Sequence, residues 1–144
     1  MLVKKKYHFY AGHRNHVLEG KCSSWHGHRY GVEITIEPKR TTAGITMLFG
    51  DIDYEMEKIL SKYDHSMLLC REDPYFEAMT SMKDYDGKRM KVVVFNEPTS
   101  VENLAQRLFE ECLGAGLPMD SVRIQETDSS TVEYNIWDYE GDTQ

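Results

Sequence analysis

Three scarcities narrow what this 144-residue chain can be. Cysteine is the first: Cys22, Cys70 and Cys112 are too few and too scattered for a disulfide framework. A reducing, cytoplasmic compartment is therefore expected. The second is long apolar sequence. No run is long enough to span a bilayer, and the opening MLVKKKYHFY lacks the apolar stretch and small-residue cleavage site of a signal peptide. No membrane partner is expected. The third is positive charge. With 17 Lys and Arg against 24 Asp and Glu the formal net charge is -7, which argues against direct contact with a nucleic-acid backbone. A small anion needs only a local cluster of cations. Lys4, Lys5, Lys6, Arg14, Lys21 and Arg29 lie near the candidate site described below, although Lys4 to Lys6 read more simply as a solvated basic edge that blunts sheet pairing.

What is present fits one globular domain over residues 1–144: 40% hydrophobic and 11% aromatic residues, with no repeat and no low-complexity segment. Residues 3–13 alternate, with Val3, Tyr7, Phe9 and Ala11 on one parity, Lys5 as the exception, and His13 at the end of the apolar face. Residues 26–36 alternate more clearly: His26, His28, Tyr30, Val32, Ile34 and Ile36 face one way, and Pro38 ends the run. Residues 51–63 carry a helical stripe of Ile52, Met56, Ile59, Leu60 and Tyr63. Residues 71–90 are polar and irregular, with turn chemistry at Asp84-Tyr85-Asp86-Gly87, and read as a loop or hairpin excursion. KVVVFN at 91–96 is a strand. A helix then follows Thr99 and Glu102, which have capping-box spacing, and stops at Gly114 and Gly116. Strands at 121–126 and 131–137 close the chain. Because strands and helices do not alternate strictly, the order predicts an α+β fold, an antiparallel sheet with two helices on one face.

His26-Gly27-His28 is the strongest local signal. On a strand, residues two apart point the same way, so both imidazoles can reach one metal ion. His13, ending another strand on its apolar face, supplies a third. Three histidines with an open fourth position form a catalytic zinc pattern. Cys22, four residues before His26, reads as a fourth ligand, a reactive base or an inert small hydrophobe. Asp64-His65 is either an acid-histidine pair or a histidine that satisfies a helix C-terminus, the simpler reading. Glu126 ends an apolar strand parity and needs donors there; an internal Lys or Arg pair is the simplest source, and two N–H donors of a guanidine-like ring are the alternative. Thr99 and Ser100 are most simply helix caps.

Together these pieces resemble the 6-pyruvoyltetrahydropterin and 6-carboxytetrahydropterin synthase superfamily. The resemblance rests on Phe9-Tyr10-Ala11-Gly12-His13, Cys22-Ser23-Ser24-Trp25-His26-Gly27-His28-Arg29-Tyr30, Asp64-His65, Pro98-Thr99-Ser100-Val101-Glu102-Asn103-Leu104-Ala105 and Glu126-Thr127, in the family's order over nearly the whole chain. It implies a tunnelling-type fold: an antiparallel four-stranded sheet with two helices, forming trimers that close a barrel and pair into homohexamers, with sites between subunits. It implies Zn2+ on His13, His26 and His28, a general base at Cys22, proton transfer completed by Asp64 and His65, and a pterin held by Glu126 with Thr99 and Ser100. The family substrate is a small molecule, 7,8-dihydroneopterin triphosphate. The three-residue interval between Cys22 and His26 is usual in the carboxy-forming branch, which releases triphosphate and acetaldehyde on the way to queuosine and other 7-deazaguanines. A pyruvoyl-forming synthase and a non-catalytic pterin- or purine-binding assembly protein are the rival readings. The chain departs from the family pattern at Leu48, where an Asp is usual, at Asp53, where a Lys is common, and in its long polar segment from Arg71 to Met90.

Overall fold

In the computed structural model, which describes residues 1–144, the alternation of the two N-terminal segments becomes the centre of the sheet. Strands β1 (Val3–His13) and β2 (His26–Ile36) pair antiparallel along their whole length, from Val3 opposite Ile36 to His13 opposite His26. Further along the chain come α1 (Phe49–Leu60), β3 (Ser66–Cys70), α2 (Phe76–Ser81), β4 (Val92–Phe95), α3 (Val101–Gly114), β5 (Met119–Thr127), β6 (Ser130–Asn135) and α4 (Ile136–Asp142). The sheet order is β4-β3-β1-β2-β5-β6.

This corrects the expected four-stranded antiparallel sheet with two helices that closes into a barrel. The sheet has six strands and is mixed, since β3 runs parallel to both β1 and β4; it ends in two edge strands without closing, and there are four α-helices. The cause of the miss is physical. Leu68, Leu69 and Cys70 of β3 are all buried, so this short strand is apolar on both faces and shows no alternation. A parallel β3–β4 pair also needs a long crossover. The 71–90 segment supplies it, carrying α2 and, beyond it, one antiparallel bridge between Lys83 and Arg89 around the Asp84–Gly87 turn. The last segment, expected to be strand through residue 137, is strand only to Asn135. It turns into α4 at Asn135, whose side chain accepts from the Trp137 and Asp138 N–H groups while Asp138 returns a bond to the Asn135 N–H.

The core lies on one face of the sheet. Phe9, Tyr30, Val32, Ile34, Val122 and Ile124 meet Ile52, Met56 and Ile59 of α1 and Leu104, Ala105, Leu108, Phe109 and Cys112 of α3, all nearly inaccessible to water. Burial of this order contributes about 1.5–3 kcal/mol for each large apolar side chain. The opposite face carries Lys4, Lys6, His8, Tyr10, Arg29 and Arg123 and is open. Lys5, the exception in the β1 alternation, has its partner on the helix-covered face: its Nζ lies 2.9 Å from Asp53 Oδ1, which also accepts the Tyr7 hydroxyl at 2.6 Å. Asp53, which departs from the family pattern, thus ties α1 to β1 within the chain.

Candidate active site

The β1–β2 register builds the site. His13 sits directly opposite His26 and Ala11 opposite His28, so all three imidazoles emerge on the core face at one end of the two strands. Their ring centroids lie 4.6 Å (His13–His26), 5.2 Å (His13–His28) and 4.9 Å (His26–His28) apart. One nitrogen from each falls within 4.8 Å of the others, a spacing that could hold a metal ion. Each of two rings is already oriented. His13 Nδ1–H donates to the Thr99 carbonyl at 2.8 Å, and His26 Nδ1–H to the Ser24 carbonyl at 2.7 Å, which turns their Nε2 lone pairs toward the common point. His13 Nε2 is buried and has no hydrogen-bond partner. An orphaned buried nitrogen is costly unless something coordinates it.

Burial disfavours the protonated forms of His13 and His28 and so favours the neutral ring, the form a metal needs. Burial pushes His13 down to about 4, against the pull of the Thr99 carbonyl, and the neighbouring His26 and His28 lower it further. Burial also lowers His28; the charge of Glu126 opposes that shift and His26 adds to it.

A cavity of about 530 Å3 opens over the cluster, and Cys22, Lys21, Ser100 and Glu126 share its wall with the histidines. The Cys22 sulfur is not among the clustered ligand atoms, which sets it apart from the fourth-ligand reading. Cys22 is exposed at the end of a short 3-10 turn, Gly20–Ser23. Glu126 has no Lys or Arg partner. Its Oε1 instead lies 3.7 Å from His13 Nε2 and 3.5 Å from His28 Nε2. The β5–β6 register slips between Gln125 and Thr127, and such a bulge re-aims a side chain. Sequence reading missed Asn15 and Leu18, which also line the cavity. They sit in an irregular stretch with no periodic signal.

Of the two residues expected to cap the helix after β4, only Ser100 does so. Helix α3 starts at Val101, and Ser100 caps it by accepting the Asn103 N–H at 3.2 Å. Thr99 does not close a box with Glu102. It is buried behind His13, and its hydroxyl donates to the Arg14 carbonyl at 3.0 Å.

Asp64 and His65 do form a pair: His65 Nδ1 lies 2.9 Å from Asp64 Oδ2. His65 holds a left-handed backbone (φ 57°) beyond the end of α1, and its N–H donates to the Tyr10 carbonyl at 2.6 Å. Asp64 Oδ1 accepts the Tyr10 N–H, which together with His65 holds the Asp64 carboxyl below the usual carboxylate range. The pair is not in the histidine cavity. The His65 ring lies 6.0 Å from that of Tyr10, whose side chain is on the open face of the sheet. His65 instead borders a second cavity, which His28 also lines.

Comparison with known proteins places this geometry. The profile of the family described as 6-pyruvoyl tetrahydropterin synthase matches residues 2–136. A 6-carboxy-5,6,7,8-tetrahydropterin synthase of Rickettsia typhi is 32% identical over 132 residues, covering 87% of this chain and 93% of that protein. A probable 6-carboxy-5,6,7,8-tetrahydropterin synthase of Halobacterium salinarum is 30% identical over 128 residues, covering 87% and 80%. Among solved structures, an uncharacterised protein of Wolinella succinogenes superposes with a TM-score of 0.76 at 19% identity, over 94% of this chain and 98% of that one. The 6-pyruvoyl tetrahydropterin synthase of Caenorhabditis elegans superposes with a TM-score of 0.67 at 23% identity, over 94% of each. These last two matches speak for the fold alone. With the profile covering nearly the whole length and relatives at 30% and 32% identity, the chain belongs to the superfamily of 6-pyruvoyl- and 6-carboxytetrahydropterin synthases.

Proposed function

We propose that the protein is a zinc-dependent lyase that converts 7,8-dihydroneopterin triphosphate and one water molecule to 6-carboxy-5,6,7,8-tetrahydropterin with release of acetaldehyde and triphosphate. The observation that carries this reading is the trio of His13, His26 and His28, drawn together with an orphaned His13 Nε2 at the floor of a cavity. The names of the relatives and the interval from Cys22 to His26 favour the carboxy-forming branch. In that branch the product leads toward queuosine or another 7-deazaguanine.

The three histidines would hold Zn2+, with Thr99 and the Ser24 carbonyl fixing two of the rings. Zinc at this point would supply Lewis acidity toward the hydroxyls of the substrate side chain. Cys22, on the same wall, takes a proton as thiolate. Glu126 receives the amino and ring N–H donors of the pterin, which match two carboxylate oxygens, and Ser100 contacts the ring from the start of α3. Asp64 and His65 act as the second proton-transfer group. Within one chain they do not line the cavity, so this reading requires a neighbouring copy to bring its pair to the site. A homohexamer built as a dimer of trimers meets that requirement.

Incubation with dihydroneopterin triphosphate followed by mass analysis of the pterin tests the proposal. A 6-carboxy product with acetaldehyde is expected. A retained three-carbon side chain would move the chain to the pyruvoyl-forming branch, and binding without turnover would make it a pterin-binding protein.

A further inference from the structure

The loop that presents Cys22 has little to hold it. Its 3-10 turn buries no residue, and its own backbone bonds are few: Asn15 N–H to the Cys22 carbonyl at 2.8 Å, Leu18 N–H to the Asn15 carbonyl and Ser24 N–H to the Lys21 carbonyl, both at 3.2 Å. The strongest restraint comes from the crossover between β3 and β4, far away in sequence. Asp73 is 4% exposed, and its carboxylate takes the Arg14 guanidinium in a two-pronged grip, Oδ2 from Nε at 2.8 Å and Oδ1 from Nη2 at 2.9 Å. Oδ1 also accepts the Tyr75 N–H at 2.9 Å. Burial opposes charge on Asp73, but the Arg14 and Tyr75 donors more than offset it and hold the carboxyl below its usual range.

Held this way, the guanidinium still has its third nitrogen free of Asp73. Nη1 donates to the Ser23 carbonyl, next to Cys22, at 3.1 Å. Its faces are covered by Tyr75, with the ring centroid 4.5 Å away, and by Trp25 at 5.5 Å. The backbone of the same residue accepts the Thr99 hydroxyl, and the Thr99 carbonyl holds His13. One arginine thus links the Cys22 loop to the orientation of His13. We infer that Asp73 and Arg14 are positioning residues, which fix the thiol of Cys22 relative to the three histidines. Neither touches the reacting atoms. The long polar crossover therefore enters the site through one buried carboxylate. This rests on the proposed role of Cys22.

Two variants test it. Asp73→Asn keeps the shape and removes the charge. Arg14→Lys keeps the charge and removes the planar fork, which an ammonium cannot replace. In both, amide hydrogen exchange at Asn15, Leu18 and Ser24 should speed at least tenfold while β1 and β2 exchange as before. The zinc content should hold, KM should stay within about twofold, and kcat should fall at least tenfold, because a displaced base costs the chemical step more than binding. Unchanged exchange in the loop overturns the inference whatever the rate does. So does faster exchange with an unchanged kcat, or loss of zinc and fold in both variants, which would make the pair scaffold only. Exchange is read without substrate. Should the parent fail to turn over dihydroneopterin triphosphate, the functional reading falls while the loop arm still decides whether the pair holds the loop.

Discussion

Acidification of the metal-free protein should act through His13. The ring is ordinary in the unfolded chain, near 6.5, and is pushed down to about 4 in the fold by burial. Between these values the unfolded chain binds a proton that the folded chain refuses. Stability from this residue is therefore complete above pH 6.5 and drains away as the pH falls through about 4. At 1.36 kcal/mol for each pH unit, the separation corresponds to about 3 kcal/mol, a large fraction of the 5–15 kcal/mol that holds a typical domain together. His28 is lowered by burial as well and adds in the same direction. The assay is denaturant unfolding after chelation, at pH values from 7.5 down to 4, on the parent and on His13→Gln. Glutamine can still donate to the Thr99 carbonyl but does not titrate. Carboxylates remote from the ring contribute equally to both proteins and cancel in the difference; Glu126, 3.7 Å from His13 Nε2, is the one that does not. The parent should lose about 2–3 kcal/mol more than His13→Gln over this range. Parallel pH profiles would refute the claim that His13 is buried as the neutral ring.

Three further outcomes follow from the site. Cys22→Ala should keep zinc and lose turnover, measured as metal per chain and product formed; zinc loss would instead make the thiol a ligand. Glu126→Gln should raise the Michaelis constant by an amount equivalent to about 2–5 kcal/mol, the range for breaking a desolvated charged hydrogen bond, while zinc content stays constant. A lower melting temperature with an unchanged Michaelis constant would assign Glu126 to the stability of the histidine cluster. Finally, inactive Cys22→Ala and inactive His65→Ala, unfolded together and reassembled, should regain about a quarter of parental activity if each site draws on two copies of the chain. No recovery would place the pair and the thiol in one chain or outside the reaction.

The parts of this account legible in the sequence are those with a period. The two-residue repeat set the faces of β1, β2 and β5, and with them the convergence of His13, His26 and His28. Helices α1 and α3 showed their 3.6-residue stripes, and Ile52, Met56, Leu104 and Leu108 are buried as read. Strand β3 escaped because a doubly buried strand has no alternation to read, and its loss hid the parallel half of the sheet. That half decides where Asp64 and His65 go. The Asp64 carboxylate meets the Tyr10 N–H from 54 residues away, and no local pattern says where along β1 that meeting takes place. Glu126 misled in a different way. Its place at the end of an apolar face suggested a Lys or Arg partner, whereas the bulge after Gln125 carries it beside His13 and His28. Asp73 offered nothing to recognise, because its partner Arg14 lies 59 residues earlier.

The central claim is that three histidines hold one zinc ion that the chemistry requires. It is tested most directly by measuring zinc per chain and acetaldehyde released from dihydroneopterin triphosphate on the same samples of parent and His28→Ala. The parent should carry about one zinc per chain and release acetaldehyde, and His28→Ala should lose both together. A full zinc complement in His28→Ala, or turnover that survives the loss of zinc, would contradict the account.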